Sequence, residues 1–507
     1  MDETAAGIIQ MMQAAAPPGL PQLDDVIAQR LRHLTRLLVA ARPDAAAEHA
    51  RFRAIAGRGL ELPEADLDAR LSGATVLVTG GTGCIGAALM AELAARSPGR
   101  LVSVSRGLTS GWPQQDGAEY MQADVTDASA YGKLVDAVRP DIVFHVAAQR
   151  DPGLAEVDVH RTVSTNVLGT RNVVCAALSA GTRQVVYAST GKALRPYSRD
   201  MYTASKRAAE WIMADVARAG GMLCSAARFT HVVDNSIVYR RLRGWAEAPE
   251  AVIRLHCPDI AFYAQSALES AQLLLLSLAG AAAGEFRVHA ITDLGWPVSL
   301  LDLAVGVVAD LDSAAAVYFS GYDAGYEEVP FPGLYDPATA GDVSPLLNAF
   351  ETAAMTASPS RAVDAFRLEF AMDARLGSLI AALEACCERT KDPEPLRGAL
   401  GELSWSLLDA ALRAAPRTAL DRAAVRTKTH WDTMSADHRR VLEAICDLVG
   451  DEGLEILDVL HHDHASGVRF EGVEDVRDVP RIADVVARLE FDRLPGRTCE
   501  HPPGAEH

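Results

Sequence analysis

The sequence predicts an α/β fold built on a doubly wound parallel sheet, with helical N-terminal and C-terminal extensions. A buried strand at residues 74–79 runs directly into a glycine-rich turn at residues 80–86, and an Ala/Leu-rich helix follows to Ala95. Further apolar strands then alternate with helical segments, which is the order expected when helices connect parallel strands. Together these observations favour a Rossmann-type sheet.

The composition limits the classes of partner. The chain has 507 residues and a formal net charge of −19, so nucleic acid and anionic membranes would be repelled over most of its surface. We therefore expect neither as a partner, and we expect a small molecule as the ligand. An anionic ligand would need a local basic site.

The eight cysteines are scattered without any Cys-x-x-Cys spacing, which is typical of reduced thiols in a cytoplasmic protein. Asp2 and Glu3 precede any apolar run, unlike a signal peptide, and the apolar segment 271–283 is about half the length that spans a bilayer. The run His461-His462-Asp463-His464 has no second cluster of ligands beside it, so we predict no metal site.

The first two predicted regions are an N-terminal extension and the main domain. Residues 1–70 open with a flexible Ala/Pro segment and continue as an amphipathic helix, packed on the main domain or on a second subunit. Residues 71–340 form the Rossmann domain, whose substrate-binding portion begins at about residue 228. We expect the protein to be a homo-oligomer.

The remaining regions carry few motifs. Residues 341–493 are predicted to form a helical C-terminal domain, with apolar helical spacing over 361–389, 395–413 and 436–449. Residues 494–507 are rich in Pro, Gly and charge, and they are predicted to be a disordered tail.

The turn at residues 80–86 has the features of a phosphate-binding loop. Its glycines allow the backbone to approach a pyrophosphate, and the N-terminus of the following helix favours the negative charge. The residues of the turn predicted to contact a dinucleotide are Gly80, Thr82, Gly83, Cys84, Ile85 and Gly86.

The second strand ends in Ser105 and Arg106, where an acidic residue would bind a ribose 2′-hydroxyl. A hydroxyl followed by a guanidinium suits the additional 2′-phosphate of NADP, because both form charge-assisted hydrogen bonds with it. The alternative is a solvent-exposed Arg106. We predict NADP as the cofactor, with NAD possible.

Later strands supply further cofactor-binding candidates at their carboxyl ends, where open α/β sheets bind ligands. Asp124 ends the third strand and can accept a hydrogen bond from the adenine amino group, with Val125 beside it. The fourth strand ends in Ala147 and Ala148, whose small side chains let a cofactor lie close, and the next helix contains Asn166.

Tyr202 and Lys206 lie four residues apart, on one face of a predicted helix. The Lys206 ammonium can then favour the ionised form of the phenol, which makes Tyr202 a candidate general acid and base. Alone, this spacing also fits a packed tyrosine beside a solvated lysine. Its weight comes from the glycine turn upstream and from Ser189 and Thr190, which end the fifth strand.

The glycine turn, the Asn166 helix and the Ser/Thr…Tyr-x-x-x-Lys set occur in register over more than a hundred residues. Closer similarity is carried by the segments Ala147–Arg150, Thr165–Thr170, Ser189–Ala193, Ser205–Arg207, Ala227–Phe229, His256–Asp259 and Leu294–Val298. Over roughly residues 72–335 the chain resembles an extended short-chain dehydrogenase/reductase, and within that superfamily the polysaccharide-biosynthesis branch of UDP-N-acetylglucosamine 4,6-dehydratases.

The resemblance implies hydride transfer on a sugar or nucleotide-sugar-like substrate through a 4-keto-type intermediate. Tyr202 would exchange the hydroxyl proton, Lys206 would hold the nicotinamide ribose and Thr190 would bind the substrate oxygen. Lys192 would remove a proton beside the transient ketone, a step shared by dehydratases and epimerases. The alternative for Lys192 is a solvated loop lysine.

The remaining substrate-binding candidates are Arg150, Ser189, Arg228 and His231. Arg150 and Arg228 would bind substrate phosphate or else form salt bridges, and Ser189 has a structural alternative. His231 would supply a proton, although a lone histidine is more often a packing residue.

Several positions depart from the resembled branch. Gly191 stands where the branch has the aspartic acid that eliminates water, Thr230-His231 replaces Gly-Asn, and Phe262 replaces an arginine that clamps a nucleotide diphosphate. Since glycine transfers no proton, dehydration would need another acid or a water molecule. The expected function is an NADP-dependent oxidoreductase of dehydratase or epimerase type. The alternatives are a simple NADPH-dependent ketoreductase and a cofactor-bound scaffold without catalysis.

Overall fold

The computed structural model describes residues 4–108, 111–248, 251–322, 332–334, 343–420, 423 and 436–449. The chain divides into two compact units, Met1–Ala414 and Ala415–His507. In the second unit, the helix Ala436–Val449 buries Val441, Leu442 and Ile445, as the apolar spacing predicts. The predicted tail and the run at residues 461–464 lie outside the described residues.

The strands form from short apolar segments of the first unit. In the described part of the chain they are β1 Thr75–Thr79, β2 Arg100–Ser105, β3 Glu119–Gln122, β4 Ile142–His145, β5 Gln184–Ala188, β6 Leu223–Ala227, β7 His231–Val232, β8 Val252–Leu255, β9 Ala261–Phe262, β10 Ala264–Gln265, β11 Phe286–Ile291, β12 Val298–Ser299, β13 Ala316–Phe319, β14 Met355–Thr356 and β15 Val363–Arg367.

Nine of these described strands form one sheet, in the order β14-β15-β11-β6-β5-β4-β1-β2-β3. The strands from β11 to β3 in this order are parallel, whereas β15 is antiparallel to both β11 and β14. The predicted doubly wound parallel sheet is therefore confirmed. The order in which strands are added to the sheet reverses between β1 and β4, which are parallel, and such sheets bind ligands in the crevice outside the carboxyl ends of these two strands.

Hydrogen bonds of the Thr79 side chain hold the backbone at the ends of β1 and β4. Thr79 and His145 are paired at the ends of β1 and β4, and the Thr79 hydroxyl lies 2.8 Å from Nδ1 of His145. The same hydroxyl accepts hydrogen bonds of 3.2 Å from the amides of Val146 and Ala147. The loop after β4 therefore begins from a buried, hydrogen-bonded position.

Helices connect the parallel strands and extend the unit at both ends. The described helices of the first unit are α1 Ala5–Ala15, α2 Asp25–Ala41, α3 Ala45–Ala54, α4 Glu64–Leu71, α5 Cys84–Ala95, α6 Ala128–Val138, α7 Pro152–Val157, α8 Val159–Val163, α9 Gly169–Ala180, α10 Met201–Ala219, α11 Ile237–Glu247, α12 Ala267–Ala279, α13 Leu300–Asp310, α14 Ala374–Arg389 and α15 Pro393–Ala414. A π-helical turn, Ser164–Leu168, joins α8 to α9.

The N-terminal extension packs on the substrate-side part of the same unit. The prediction of a flexible opening segment is wrong for residues 5–15, which form α1 and bury Ile8 and Met12. Helix α2 contacts β13, and its buried Leu31 belongs to the same apolar cluster as Phe319. The amphipathic spacing of α2 identified the buried face, but it did not identify the surface against which that face packs.

The segment after residue 341 differs from the helical prediction. Val363–Arg367 forms strand β15 beside β11, and the helix expected over 361–389 begins only at Ala374. A short apolar run fits a strand as well as a helix, so periodicity did not separate the two. The predicted domain boundary after residue 340 also differs from the boundary between the compact units, which follows Ala414.

Helices α14 and α15 pack on α10 and on the α8–α9 region. The Tyr197 and Trp405 rings meet edge to face with centroids 5.3 Å apart, and Arg171 pairs with Glu384. Arg397 donates hydrogen bonds to the carboxylate and the carbonyl of Glu156. No described helix combines the length and apolarity needed to cross a bilayer.

Replacing Leu31 by Ala tests whether the N-terminal helices belong to the folding unit. Leu31 is 0% exposed, so we expect its truncation to lower the free energy of unfolding by about 2–5 kcal/mol. Val26→Ala on the same helix is the matched control, because Val26 is 76% exposed and should change stability by less than about 0.5 kcal/mol. Urea unfolding measures both variants, and equal small losses would contradict the packing described here.

Candidate active site

A cleft of about 1760 Å³ lies at the carboxyl ends of the parallel strands. Nineteen of the predicted site residues line it, and two, Asn166 and Arg228, do not. The lining residues are Gly80, Thr82, Gly83, Cys84, Ile85, Gly86, Ser105, Arg106, Asp124, Val125, Ala147, Ala148, Arg150, Ser189, Thr190, Lys192, Tyr202, Lys206 and His231. The sequence therefore predicted 19 of the residues that line this cleft.

The glycine turn leaves room for a ligand only because side chains are missing from it. Gly80 has φ +78°, and a Cβ on it would lie 2.8 Å from the amide nitrogen of Ala147. A Cβ on Gly86 would lie 2.1 Å from the carbonyl oxygen of Gly80. Helix α5 begins at Cys84, so its first amides face the cleft side of the turn. The residues present fit the pyrophosphate of a dinucleotide.

The neighbouring strand ends shape the adenosine side of the cleft. The Ser105 hydroxyl accepts a hydrogen bond of 3.4 Å from the Thr82 amide, which ties β2 to the glycine turn. Arg106 is exposed at the rim. The Asp124 carboxylate accepts 2.9 Å hydrogen bonds from the amide and hydroxyl of Thr126, so one of its oxygens is already used within the loop.

Asn166 is a positioning residue. Its side chain accepts a hydrogen bond from the Gln149 amide and donates to the Gln149 carbonyl, at 2.8 and 3.0 Å. It also donates to the Ser205 hydroxyl at 3.0 Å. The π-helical turn that carries Asn166 thus joins the loop after β4 to helix α10.

Helix α10 carries Tyr202 and Lys206 on the face that lines the cleft. The Asp200 carboxylate caps the helix by accepting from the Thr203 amide at 2.7 Å. Lys206 is 3% exposed, and its Nζ donates to the Ala188 carbonyl at 2.7 Å. Burial lowers the pKa of Lys206 to about 7, although the Glu210 carboxylate acts in the opposite direction.

The Tyr202 phenol differs from the sequence-based expectation. Burial raises the pKa of Tyr202, and this effect outweighs the hydrogen bond with Thr190, which lowers it. Burial therefore opposes the lowering of the phenol pKa that the sequence predicts from Lys206. Tyr202 and Thr190 both line the cleft, together with Lys206 and Ser189.

Ser189 and Arg228 belong to a buried ionic network, and their predicted substrate contacts are corrected accordingly. The Ser189 hydroxyl donates to the Glu210 carboxylate at 2.7 Å. Arg228 is 0% exposed and donates to Glu210 and Glu351, with shortest distances of 3.0 and 2.7 Å respectively. Arg207 joins the same carboxylates at 3.2 Å. The salt-bridge alternative for Arg228 is thus the correct one.

Gly191 lies against a segment that sequence reasoning did not connect to the site. Its amide donates to the Phe229 carbonyl at 2.6 Å, and a Cβ on Gly191 would lie 2.8 Å from Cδ2 of Leu346. Pro345 and Leu346 both line the cleft. Lys192, the next residue, is half-buried and also lines the cleft.

His231 lies in the substrate half of the cleft. Its Nε2 is 2.6 Å from the Ser236 hydroxyl, and its ring centroid is 4.7 Å from that of Phe262. Burial lowers the pKa of His231 to about 4, so the ring is neutral at pH 7. The lowered pKa and these contacts favour the alternative of a packing and hydrogen-bonding residue over a proton donor.

Several lining residues carried no recognisable signal in the sequence. They are Gly19, Leu20, Trp112, Arg195, Arg241, Trp245, Arg254 and Tyr322. Gly19 and Leu20 come from the N-terminal extension, where the Leu20 amide donates to the Tyr318 hydroxyl across 298 positions of sequence. Local spacing gives no information about such distant pairs.

Lys206 makes stability depend on pH in a defined direction. Its pKa is about 7 in the folded protein against an ordinary 10.5, so between these values the unfolded chain binds more protons and stability rises with pH. We expect the unfolding free energy of the wild type, minus that of Lys206→Met, to increase from pH 7 to pH 10. Urea unfolding of ligand-free protein measures it, with Lys133→Met, an exposed lysine, as the control. A constant difference would contradict the burial of the ammonium.

Comparison with known proteins places this geometry in a family. Residues 76–325 match the family described as polysaccharide biosynthesis protein. The chain is 26% identical over 314 residues to the probable polysaccharide biosynthesis protein EpsC of Bacillus subtilis, covering 60% of this chain and 50% of that protein. It is 27% identical over 288 residues to the capsular polysaccharide biosynthesis protein CapD of Staphylococcus aureus, covering 53% and 47%.

A shorter match has an enzymatic name. The chain is 28% identical over 143 residues to the UDP-N-acetylglucosamine 4,6-dehydratase (inverting) of Campylobacter jejuni, covering 27% of this chain and 42% of that protein. The chain spans about half the length of the curated relatives it matches.

The family match includes the glycine turn, Thr190 and the Tyr202/Lys206 pair, and it confirms the resemblance that the motifs predict. Over residues 76–325 the chain is an extended short-chain dehydrogenase/reductase of the polysaccharide biosynthesis family.

Proposed function

We propose that the protein is an NADP-dependent oxidoreductase that acts on a sugar or nucleotide-sugar-like substrate through a transient ketone. One observation carries the proposal: Thr190, Tyr202 and Lys206 line the same cleft as the glycine turn. The names of the relatives support a sugar as the substrate, since they act in polysaccharide biosynthesis or on UDP-N-acetylglucosamine.

The roles of the side chains follow from their contacts. Thr190 and Tyr202 hold the substrate oxygen between their hydroxyls, and Tyr202 takes the proton when an alcohol is oxidised and returns it when the ketone is reduced. Lys206, fixed by the Ala188 carbonyl, contributes a positive charge beside the phenol and a donor for a ribose hydroxyl. When bound, NADP supplies the hydride chemistry.

The surroundings of Gly191 favour an epimerase-type over a dehydratase-type outcome. Gly191 has no proton to give, His231 is neutral, and the space beside Gly191 is filled by Leu346. Elimination of water needs an acid at the leaving hydroxyl, whereas oxidation followed by reduction needs only Tyr202 and the hydride carrier. Lys192 is retained for exchange of a proton beside the ketone.

Arg106 tests the choice of cofactor. Because the proposal assigns the 2′-phosphate to the Arg106 guanidinium, we expect Arg106→Ala to weaken NADP binding about 10- to 100-fold and to leave NAD binding nearly unchanged. Titration of tryptophan fluorescence with each dinucleotide measures this. Arg243→Ala is the matched control, since Arg243 pairs with Glu247 on the surface and does not line the cleft. Tighter binding of NAD than NADP by the wild type would refute the assignment.

Tyr202→Phe tests the chemistry. We expect it to reduce turnover about 100- to 10,000-fold, since the proton carrier is lost, while NADP affinity is retained. Tyr131→Phe is the control, because Tyr131 is fully buried and does not line the cleft. Activity is followed by mass spectrometry of sugar products and by NADPH absorbance over a panel of nucleotide sugars.

The balance of the cofactor separates the candidate reactions. An epimerase or dehydratase regenerates NADP in each turnover, and only the dehydratase product is lighter by one water. A ketoreductase consumes one NADPH for each product. Unchanged native-pathway function in Tyr202→Phe would instead indicate a scaffold.

A further inference from the structure

We infer that Leu346 selects among substrates by the substituent next to the reacting carbon. It favours substrates in which this substituent is a methyl group over those in which it is a hydroxymethyl group. The inference rests on the proposed function and deepens it. In nucleotide sugars the corresponding class is the 6-deoxy sugars.

The first step is the position of Leu346. Thr190 and Tyr202, which are proposed to hold the substrate oxygen, line the cleft together with Gly191 and Leu346, and Gly191 follows Thr190 directly in the chain. The Leu346 side chain lies where a side chain on residue 191 would project, 2.8 Å from that Cβ position. A substituent that extends from the reacting carbon past Thr190 therefore meets Leu346.

The second step is that Leu346 is held in place by buried bonds. The Leu346 carbonyl accepts a 3.1 Å hydrogen bond from Arg228, and the Leu346 amide donates to the Ser344 hydroxyl at 3.3 Å. Glu351 binds Arg228 and accepts from the Asn348 amide at 3.0 Å. Because Arg228 is itself 0% exposed, the segment cannot shift without breaking a buried ion pair.

The third step is that Asn348 attaches the segment that carries Leu346 to the turn Gly191–Leu194. Its side chain donates to the Leu194 carbonyl at 2.9 Å, while Leu194 ends the turn that begins at Gly191. The distance between Gly191 and Leu346 is thus fixed from both sides. We call the surface formed by Gly191, Pro345 and Leu346 the apolar wall.

The fourth step is chemical. The apolar wall offers no side-chain donor or acceptor, since its members are glycine, proline and leucine. The Gly191 amide is already used by the Phe229 carbonyl. A hydroxyl directed at the wall would lose its water without gaining a partner, whereas a methyl group gains apolar contact.

The test compares sugar nucleotides that differ by one oxygen. The probes are UDP-glucose with UDP-6-deoxyglucose, and UDP-galactose with UDP-D-fucose, which is its 6-deoxy form. The same pairs are also used as dTDP derivatives. For wild-type protein loaded with NADP, we expect kcat/KM for the 6-deoxy member of at least one pair to exceed that of its partner roughly 10- to 100-fold. This comparison needs no variant.

Variants then assign the preference to Leu346. Leu346→Asn supplies hydrogen-bonding groups at the wall and should reduce the ratio at least about fivefold, mainly by improving the hydroxymethyl member. Leu346→Met keeps the apolar character and should keep the ratio. Leu347→Met is a control at a buried neighbour that does not line the cleft. NADP affinity and urea unfolding check that each variant is folded, and the wild-type ratio stands if Leu346→Asn is not.

The outcomes separate this inference from the proposed function. Equal kcat/KM values within every pair, or no activity with any 6-deoxy member, would overturn the role of Leu346. Tyr202-dependent hydride transfer on other substrates in the panel would then leave the proposed function standing. A preference for the hydroxymethyl members would also overturn the inference and would point to Lys192 as the partner of that hydroxyl. Absence of Tyr202-dependent hydride transfer from the whole panel would reject both.

Discussion

The ion pairs of Arg228 with Glu210 and Glu351 are the interaction on which the site depends. All three side chains are at most 3% exposed, so both carboxylates and the guanidinium have lost their water. Such burial is favourable only when nearly every charged atom has a partner, and removal of one partner typically costs about 3–5 kcal/mol. Burial alone would raise the pKa of Glu210, but the charges and hydrogen bonds of Arg228, Arg207 and Ser189 together outweigh this effect and hold it below its ordinary value.

These ion pairs join parts of the chain that no local interaction connects. Glu210 belongs to the catalytic helix α10, Arg228 follows β6, and Glu351 belongs to the segment that carries Leu346. The Ser189 hydroxyl binds the same Glu210 carboxylate from the end of β5. The network therefore fixes the helix, the strand end and the wall of the cleft with respect to one another.

The same carboxylate influences Lys206. Burial lowers the pKa of Lys206, while Glu210 raises it, and the outcome of about 7 leaves the ammonium partly deprotonated near neutral pH. A ligand phosphate or an ionised Tyr202 would favour the charged form. The electrostatics that the sequence suggested as a property of the Tyr202/Lys206 pair are in fact set by the pair together with the network beneath it.

The sequence predicted what depends on short spacing and missed what depends on distant contacts. The glycine turn, the strand ends and the Tyr202/Lys206 face follow from local geometry, because turns and helices are fixed within a few residues. Arg228 was misassigned because its partner Glu351 lies 123 positions away, and Leu346 was missed for the same reason. Strand β15 was read as helix because only its place beside β11 distinguishes the two.

The C-terminal helices act on the site through one further contact between residues that are far apart in the sequence. The Glu156 carboxylate accepts a 2.7 Å hydrogen bond from the Met201 amide, the first residue of α10, and also binds Arg397 of α15. The amides at the start of a helix lack partners within the helix, so Glu156 and Asp200 together satisfy the beginning of α10. Tyr202 is the next residue. Helix α15, which has no residue in the cleft, therefore helps to set the position of the Tyr202 phenol, because Arg397 holds the Glu156 side chain that caps helix α10.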